Sequence, residues 1–493
     1  MKHFILKLFG ILAVVMIQCV SSEINAGVFS EDAFCGEVST CNPCDEVSCD
    51  PCESVCAAKK SKWFVSSYLE TGFWANEYGQ KNVYLEKKPG YSHSNVQYGN
   101  GWLNMVPLAG VPEIPAPLQN VKNTGVQLNQ LYFSAGKSVD GRHGWDFGGT
   151  VDFVFGTDAY AVQTSGLEKD TGHGPDSWGT GDYYSAFAQA YFEAAYKNWN
   201  IKAGKFYTPF GSQSFKSTDR FFYSYADTFS QFPCDFIPVT AGGAYATYTV
   251  NNQLSVYGGW IQPDMIGESS KVNAFLGGMI WQLTKKLNLH YTIALGKDES
   301  NVFGTPNVNN IEFFVQSLVT TYQINKKWKY VFDWSLYNST NEYKDYVQDP
   351  NDDNLTNGNV FDRNMTYGIN NELIYQFNSK WAFGFRAGWG HMGRTYRDTD
   401  SAPPYKGEFH QTGSGNKYTF SLAANWTPVK WLIVKPEIRY DKYEKGLKDG
   451  SSYGPTDGPT ASRWGHAIFP INAFDRQSKD YQLSGGVSTI VKY

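Results

Sequence analysis

From Trp63 to the end of the chain, large apolar residues recur at every second position within segments of roughly ten residues. In the segment 287–296, for example, Tyr291 and Ile293 fall on one face, while His290 and Thr292 fall on the other. A period of two is the period of a β-strand, whose successive side chains point to opposite sides. The pattern therefore predicts strands with one apolar face and one polar face.

The same alternation recurs in the segments 381–390, 418–426 and 432–441, where the charged residues gather on the face opposite the large apolar ones. The alternation is less regular in three segments, at 126–137, 271–283 and 311–323. A β-bulge inserts one residue and shifts the phase of a strand. We therefore expect a bulge in each of these three segments.

Sixteen candidate strands can be counted along the chain. They are 63–74, 126–137, 145–156, 184–196, 199–206, 242–250, 253–261, 271–283, 286–297, 311–323, 327–338, 364–377, 380–391, 416–427, 430–442 and 480–493. An even number lets an antiparallel barrel close with both ends of the chain on one rim, and a barrel of this size encloses water. The predicted fold is all-β: a transmembrane antiparallel up-and-down β-barrel, with short periplasmic turns and long extracellular loops.

Aromatic residues bracket the short links between these segments, which favours a membrane barrel over a soluble β-sandwich. Tyr196 and Trp199 flank one link, and Tyr322 and Trp328 flank another. Two further pairs are Phe377 with Trp381 and Trp426 with Trp431. Amphipathic rings belong at the boundary between lipid and water, and short links alternating with long ones are typical of outer-membrane barrels.

Composition narrows the class further. Charged residues make up 18% of the chain and aromatic residues 16%, with 48 Gly and a formal net charge of −5. Low charge and many aromatics argue against a disordered chain and against a basic nucleic-acid-binding protein. A mean hydropathy of −0.41 argues against a polytopic helical membrane protein.

The N-terminal residues have the pattern of an export signal. Lys2 and Lys7 precede an apolar stretch, and a small-residue exit ends at Ala26. We expect residues 1–26 to be removed, which leaves a segment 27–62 ahead of the barrel domain 63–493. Six cysteines crowd that segment: Cys35, Cys41, Cys44, Cys49, Cys52 and Cys56. In an exported chain such a cluster is read first as disulfides, within the segment or to an envelope partner, and a zinc knuckle is the alternative.

The stretch from Ala203 to Tyr248 reads AGKFYTPFG, then RFFYSYADTF, then PVTAGGAYATY. This order resembles the OmpL-like β-barrel porins, in which a strand ending in G-K/R-F-Y is followed by a loop carrying F-Y-S. The resemblance extends over roughly residues 63–493 and implies a bacterial outer-membrane pore. The cysteine segment lies outside it.

Charges on the polar faces are the candidate pore-lining residues, because a water-filled lumen tolerates them and they bias ion passage. They are Lys202, Arg386, Lys435, Arg439, Glu193, Asp333, Glu372 and Glu437. The loop 207–241 follows the fifth strand, where porins often fold a constriction loop inward. Its charges are the candidate constriction residues: Lys216, Asp219, Arg220, Asp227 and Asp235.

These observations predict an outer-membrane porin for passive diffusion of small hydrophilic solutes or ions, with lipid around it and without enzymatic activity, cofactor, metal or nucleic-acid partner. A homo-oligomer, for example a trimer, is compatible with this reading. One alternative is a structural or adhesive envelope protein cross-linked through the cysteine segment. A barrel enzyme is the other alternative. It is disfavoured because the G-x-S-x-G motif at 450–454, which in hydrolases needs a strand before it and a helix after it, lies here in a long polar loop.

Overall fold

The structure is a computed structural model that describes residues 63–76, 125–164, 167–168, 178–180, 183–226, 228, 238–263, 272–298, 308–345, 358–397, 409–411, 415–443 and 481–493. The predicted export signal at 1–26 and the cysteine segment at 27–62 lie outside the described residues. Both therefore stay predictions.

Sixteen long strands form one closed sheet. They are β1 (Trp63–Asn76), β2 (Gly125–Lys137), β3 (Asp146–Gly156), β4 (Tyr183–Tyr196), β5 (Trp199–Tyr207), β6 (Thr240–Thr249), β7 (Leu254–Pro263), β8 (Val272–Thr284), β9 (Leu287–Asp298), β10 (Val308–Gln323), β11 (Trp328–Asp345), β12 (Gly358–Gln376), β13 (Trp381–Arg397), β14 (Gly415–Val429), β15 (Leu432–Tyr443) and β16 (Tyr481–Lys492). Each strand pairs antiparallel with its neighbour in sequence, and β1 also pairs with β16. The predicted antiparallel up-and-down barrel is confirmed.

Short elements accompany the barrel strands. Gly179–Thr180 pairs with β4, and Phe409–Gln411 pairs with the end of β13. Gly141–His143 and Asp158–Val162 are single turns of 3₁₀ helix. Among the described residues, no helix is both long and apolar enough to cross a bilayer.

Several strands are longer than the alternation predicts, most of all β11 and β12. Their ladder continues as far as the pair Asp345 and Gly358, so much of the predicted exterior loop 339–363 is a paired hairpin. The sequence of these extensions, STNEYKD at 339–345 and GNVFDR at 358–363, is mostly polar and shows no period of two. Their backbone groups nevertheless pair, because a hydrogen-bonded ladder satisfies them.

The three expected irregularities are present. Register shifts between neighbouring strands occur where β1 pairs with β2, where β8 pairs with β9, and where β10 pairs with β11. Two further shifts occur where β3 pairs with β4 and where β14 pairs with β15, so bulges are not confined to the segments whose hydrophobic alternation is broken.

All short turns lie on one rim. Asn side chains shape three of these turns: the Oδ1 atom of Asn325 accepts from the backbone N–H of Lys327 (2.9 Å) and of Trp328 (3.1 Å), and Asn251 and Asn378 act in the same way. Asn is favoured in such turns because its side chain substitutes for a backbone acceptor. The link between β2 and β3 lies on the same rim, and the remaining long connections, including the one after β5, start from the opposite rim.

The outer face of the barrel is apolar, as the alternation predicts. Phe275, Phe385 and Leu422 expose about half of their surface or more, at 54%, 43% and 63%. Their inward-facing sequence neighbours Leu276, Arg386 and Ser421 are buried. Large exposed apolar residues around a whole wall fit lipid contact.

Candidate functional site: a loop inside the barrel

The chain that follows β5 turns into the barrel, and residues 208–226 are called here the inward loop. Phe210 begins this path in a buried cluster that also contains Tyr257, Ile261 and Leu276 of the inner wall. The loop therefore enters from the long-loop rim across β7 and β8.

Residues 209–213 then follow the inner wall from β9 to β12. The Thr292 hydroxyl donates to the Pro209 carbonyl oxygen (2.6 Å). Ser212 donates to Asp333 through its backbone N–H (2.8 Å) and its hydroxyl (2.7 Å). The amide of Gln213 donates to Glu372 (2.7 Å). Successive loop residues thus dock on successive strands.

Two residues later the loop contacts the far wall. The Gln130 amide of β2 donates to the Phe215 carbonyl oxygen (3.0 Å), and Lys216 pairs with Asp152 of β3 (3.2 Å). Gln213, by contrast, contacts β12, which is six strands away from β2 around the barrel. The segment 213–216 therefore crosses the lumen.

The second half of the inward loop lies on β13 and β15, where buried charged side chains of the wall bind it. Arg386 donates to the Ser224 carbonyl oxygen (2.9 Å) and pairs with Glu437 (3.1 Å). Glu437 accepts from the backbone N–H of Ser224 (2.8 Å) and from its hydroxyl (2.5 Å). Arg439 donates to the Tyr225 carbonyl oxygen (2.6 Å). A backbone that cannot pair with a strand is satisfied by these side chains.

Lys435 and Glu70 bind the loop between these two contacts. The Lys435 ammonium donates to the carbonyl oxygens of Ser217 (2.6 Å) and Arg220, and the Ser217 hydroxyl donates to Glu70. Ser488 donates to the other oxygen of Glu70 (2.5 Å). The carboxylate thus joins the loop to β16 as well as to β1.

Two glycines of the wall make room for loop aromatics. A Cβ atom at Gly72 would overlap the Tyr223 hydroxyl, and one at Gly384 would overlap the Phe221 ring. Tyr223 also donates to the Asn129 side chain (3.0 Å). The wall is therefore shaped to the loop at these two points.

A second segment enters the barrel after β3. The short helix Asp158–Val162 packs in the same buried cluster as the inner face of β1 and β2. Asp158 accepts from Gln130 (2.8 Å) and from Tyr225 of the inward loop (2.9 Å). Burial, together with the nearby Glu70 carboxylate, raises the pKa of Asp158 above its ordinary value.

A buried ion pair joins the base of the inward loop to this second segment. Lys205, at the end of β5, pairs with Glu168 (2.9 Å) and donates to the Val162 carbonyl oxygen (2.8 Å). Tyr207 hydrogen-bonds to Tyr132 through their hydroxyls (2.9 Å). The two inward segments therefore form one packed unit with the wall.

The residues predicted to line the pore separate into two groups. Six face inward but are buried against the loop or the wall, without contact with open water: Asp333, Glu372, Arg386, Lys435, Glu437 and Arg439. Glu193 and Lys202 remain partly exposed on β4 and β5. Glu193 accepts from Asn200 (2.7 Å), and the Lys202 ammonium lies 4.8 Å from the centre of the Tyr191 ring.

The predicted constriction residues also separate. Asp219 is exposed and Lys216 is partly exposed. Arg220 is buried, with its guanidinium 3.8 Å from the centre of the Tyr225 ring, so it serves the packing of the loop. Asp227 and Asp235 lie outside the described residues.

Sequence reasoning missed the hydroxyl-bearing residues that dock the loop: Ser212, Ser217, Tyr223, Ser224 and Tyr225. The run FYSY at 222–225 was visible as part of a family pattern, but its partners lie about 160 to 215 positions away for Ser224. Charges spaced at every second position on β15 were the complementary signal.

A closed barrel of sixteen antiparallel strands, with an apolar exterior and a polar interior that holds a loop, is the architecture of an outer-membrane porin. Residues 90–471 match the family model described as "Putative beta-barrel porin-2, OmpL-like". This is most of the chain, which therefore belongs to that family and is an outer-membrane porin. Family membership indicates a channel.

Several solved structures of outer-membrane proteins match this chain over most of its length. A trimeric form of OmpT, an outer membrane protein of Vibrio cholerae, is 10% identical with a TM-score of 0.46 and covers 88% of this chain and 99% of its own. The channel DcaP of Acinetobacter baumannii is 9% identical, with a TM-score of 0.46, and the match covers 89% of this chain and 99% of that one. An anion-selective porin from Comamonas acidovorans is also 9% identical, with a TM-score of 0.47, and the match covers 88% of this chain and 100% of that one. At such values the likeness does not extend to function. No functionally curated protein matches the sequence.

Proposed function

We propose that small hydrophilic solutes and ions diffuse passively through the part of the lumen that the inward loop leaves open, and that this loop sets the size limit. The observation that carries the proposal is the crossing of the lumen at 213–216, between Glu372 on β12 and Gln130 on β2. A chain fixed across a barrel narrows the water path wherever it crosses.

The ion preference of this passage would come from the charges that keep contact with water. Lys216 is compensated by Asp152 at 3.2 Å, whereas Asp219 is exposed and accepts a hydrogen bond from the neighbouring Thr218 hydroxyl (2.8 Å). Field lines concentrate at a constriction in a low-dielectric wall. We therefore propose that Asp219 gives the passage a preference for cations.

Reversal potentials of the purified protein in a planar bilayer under a salt gradient test this assignment. Asp219→Asn should shift the reversal potential toward anions, and Lys216→Gln should shift it toward cations. A reversal potential unchanged by Asp219→Asn would remove Asp219 from the ion path, while the conductance itself would still report whether a pore forms.

The N-terminal segments complete the proposal. Residues 1–26 would direct export to the outer membrane, and the six cysteines between Cys35 and Cys56 would form disulfides within the segment 27–62 or with an envelope partner. Migration on a non-reducing gel separates these outcomes, because covalent multimers would favour the cross-linked role. Assembly of the barrel as a homo-oligomer, for example a trimer, is part of the same proposal.

A further inference from the structure

The rim of short turns carries many exposed lysines. They are Lys197, Lys285, Lys286, Lys326, Lys327, Lys380 and Lys430. Of the described links on this rim, the six turns of two to four residues contain neither Asp nor Glu. The longer link after β2 contains both signs, but Asp140 pairs with Arg142 (2.7 Å) and Asp146 pairs with Lys137 (2.7 Å). Among the described residues of this rim, the lysines of the short turns therefore carry a positive charge that no Asp or Glu of these turns offsets.

This charge is concentrated on one side of the barrel. Six of the seven lysines lie in the four consecutive turns from β8 to β15, and this set is called here the lysine arc: Lys285, Lys286, Lys326, Lys327, Lys380 and Lys430. The Lys286 ammonium donates to the Ile324 carbonyl oxygen of the next turn (3.2 Å). Neighbouring turns of the arc therefore lie within reach of one side chain.

The lysine arc lies directly beside aromatic side chains on the lipid-facing wall. The Lys327 ammonium is 6.0 Å from the centre of the Tyr375 ring, and that ring packs against Trp328 with 4.5 Å between ring centres. Trp381 and Trp426 stack at 5.7 Å in the same arc, and Trp431 exposes 55% of its surface. Such rings lie at the level of lipid headgroups, so ammonium groups just beyond them reach the depth of the phosphates.

We propose that the lysine arc binds the headgroups of anionic phospholipids in the leaflet that contacts the short turns. The charge is complementary, and basic residues near a membrane surface strengthen the attraction to anionic lipid by roughly fivefold each at low salt. An acidic soluble macromolecule would instead approach the turns from the water beyond this rim. Lipid is favoured because the lysines are held against rings on the outer wall.

Lipid selectivity can be measured by electron paramagnetic resonance, with the full-length protein in phosphatidylcholine vesicles that contain spin-labelled phosphatidylglycerol or spin-labelled phosphatidylcholine. The test variant carries Lys285→Gln, Lys286→Gln, Lys326→Gln and Lys327→Gln together. The matched control replaces the same four lysines by Arg, which keeps the charge. Unchanged heat-modifiable gel migration shows that each variant forms its barrel.

The wild-type protein and the Arg variant should retain spin-labelled phosphatidylglycerol at the protein surface in preference to phosphatidylcholine. The Gln variant should lose this preference at least severalfold, and added salt should reduce it in the wild type. Equal preference in the wild type and the Gln variant would overturn the proposal. The proposal would also be overturned if the Gln variant lost binding to soluble polyglutamate but kept the lipid preference of the wild type, because the rim would then bind an acidic macromolecule and not lipid. Neither result depends on whether the pore conducts.

Discussion

Two arcs of the inner wall show the same alternation of polar and apolar residues but have different environments. The buried arc, on β13 to β16, includes Arg386, Ser421, Lys435, Glu437, Arg439 and Ser488. The open arc, on β4 to β7, includes Glu193, Asn200, Lys202, Thr247 and Ser255. Both arcs alternate polar residues with apolar ones, and both face inward. They differ because the inward loop covers one of them and leaves the other partly exposed.

The difference shows that a charge inside a barrel can serve the structure of a loop instead of ion passage. In the buried arc, Arg386 and Glu437 pair with each other and also bind the backbone of Ser224. Burying these ions is costly, and the cost is offset only because their remaining hydrogen-bonding groups find partners. In the open arc, water can solvate Glu193 and Lys202, so their contacts with the protein are fewer.

Removal of the inward loop should have the largest effect, because it abolishes the difference in environment between the two arcs. Replacing residues 212–225 by a short Gly-Ser linker should raise single-channel conductance severalfold, because the crossing at 213–216 is lost and the buried arc becomes wall. A matched shortening of the link 346–357 between β11 and β12 is the control and should leave conductance nearly unchanged. If both proteins conducted like the wild type, the loop would not limit the pore.

Removal of one buried charged side chain should destabilise the barrel much more than removal of one partly exposed charged side chain. Glu437→Ala leaves Arg386 and the Ser224 N–H without their carboxylate, and we expect a loss of about 3–5 kcal/mol in the free energy of unfolding. Glu193→Ala in the open arc should cost less than about 1 kcal/mol. Urea unfolding of the two variants in lipid vesicles measures the difference, and equal losses would remove the distinction between the arcs.

A methyl group added where the loop meets the wall should have a smaller effect. Gly384→Ala places a Cβ in the Phe221 ring, and such overpacking costs about 1–3 kcal/mol and should increase current fluctuations as the loop shifts. Gly258→Ala is the control, because its Cβ would meet neighbours only at 3.7 Å or beyond. Indistinguishable current traces from the two variants would show that the fit at Gly384 is unimportant.

The barrel itself was predictable, because a period of two in hydrophobicity reports which face of a strand meets lipid. Leu422 and Arg386 lie on the faces that alternation assigns to them. The extension of β11 to Asp345 was not predictable, because polar residues beyond the lipid need not alternate.

The hydrophobic alternation also could not predict whether an inward-facing residue contacts water or the inward loop. Whether Lys435 meets water or the carbonyl oxygens of Ser217 and Arg220 depends on the path of a loop more than 200 positions away. Alternation reports the face of a residue and carries no information on what covers it. The position of the loop after β5 pointed to an inward path, but the serines that fix it gave no periodic signal.

The most direct test of the two arcs is the access of pore water to one serine in each. Ser421 lies buried on the inner face of β14, and Ser255 lies partly exposed on the inner face of β7. Each is replaced by Cys in a protein whose native cysteines are changed to Ser, and a small charged thiol reagent is added while the bilayer current is recorded. The current should change promptly for Ser255→Cys and remain constant for Ser421→Cys. Equal reaction at both positions would contradict the claim that the inward loop seals one arc of the wall from the pore.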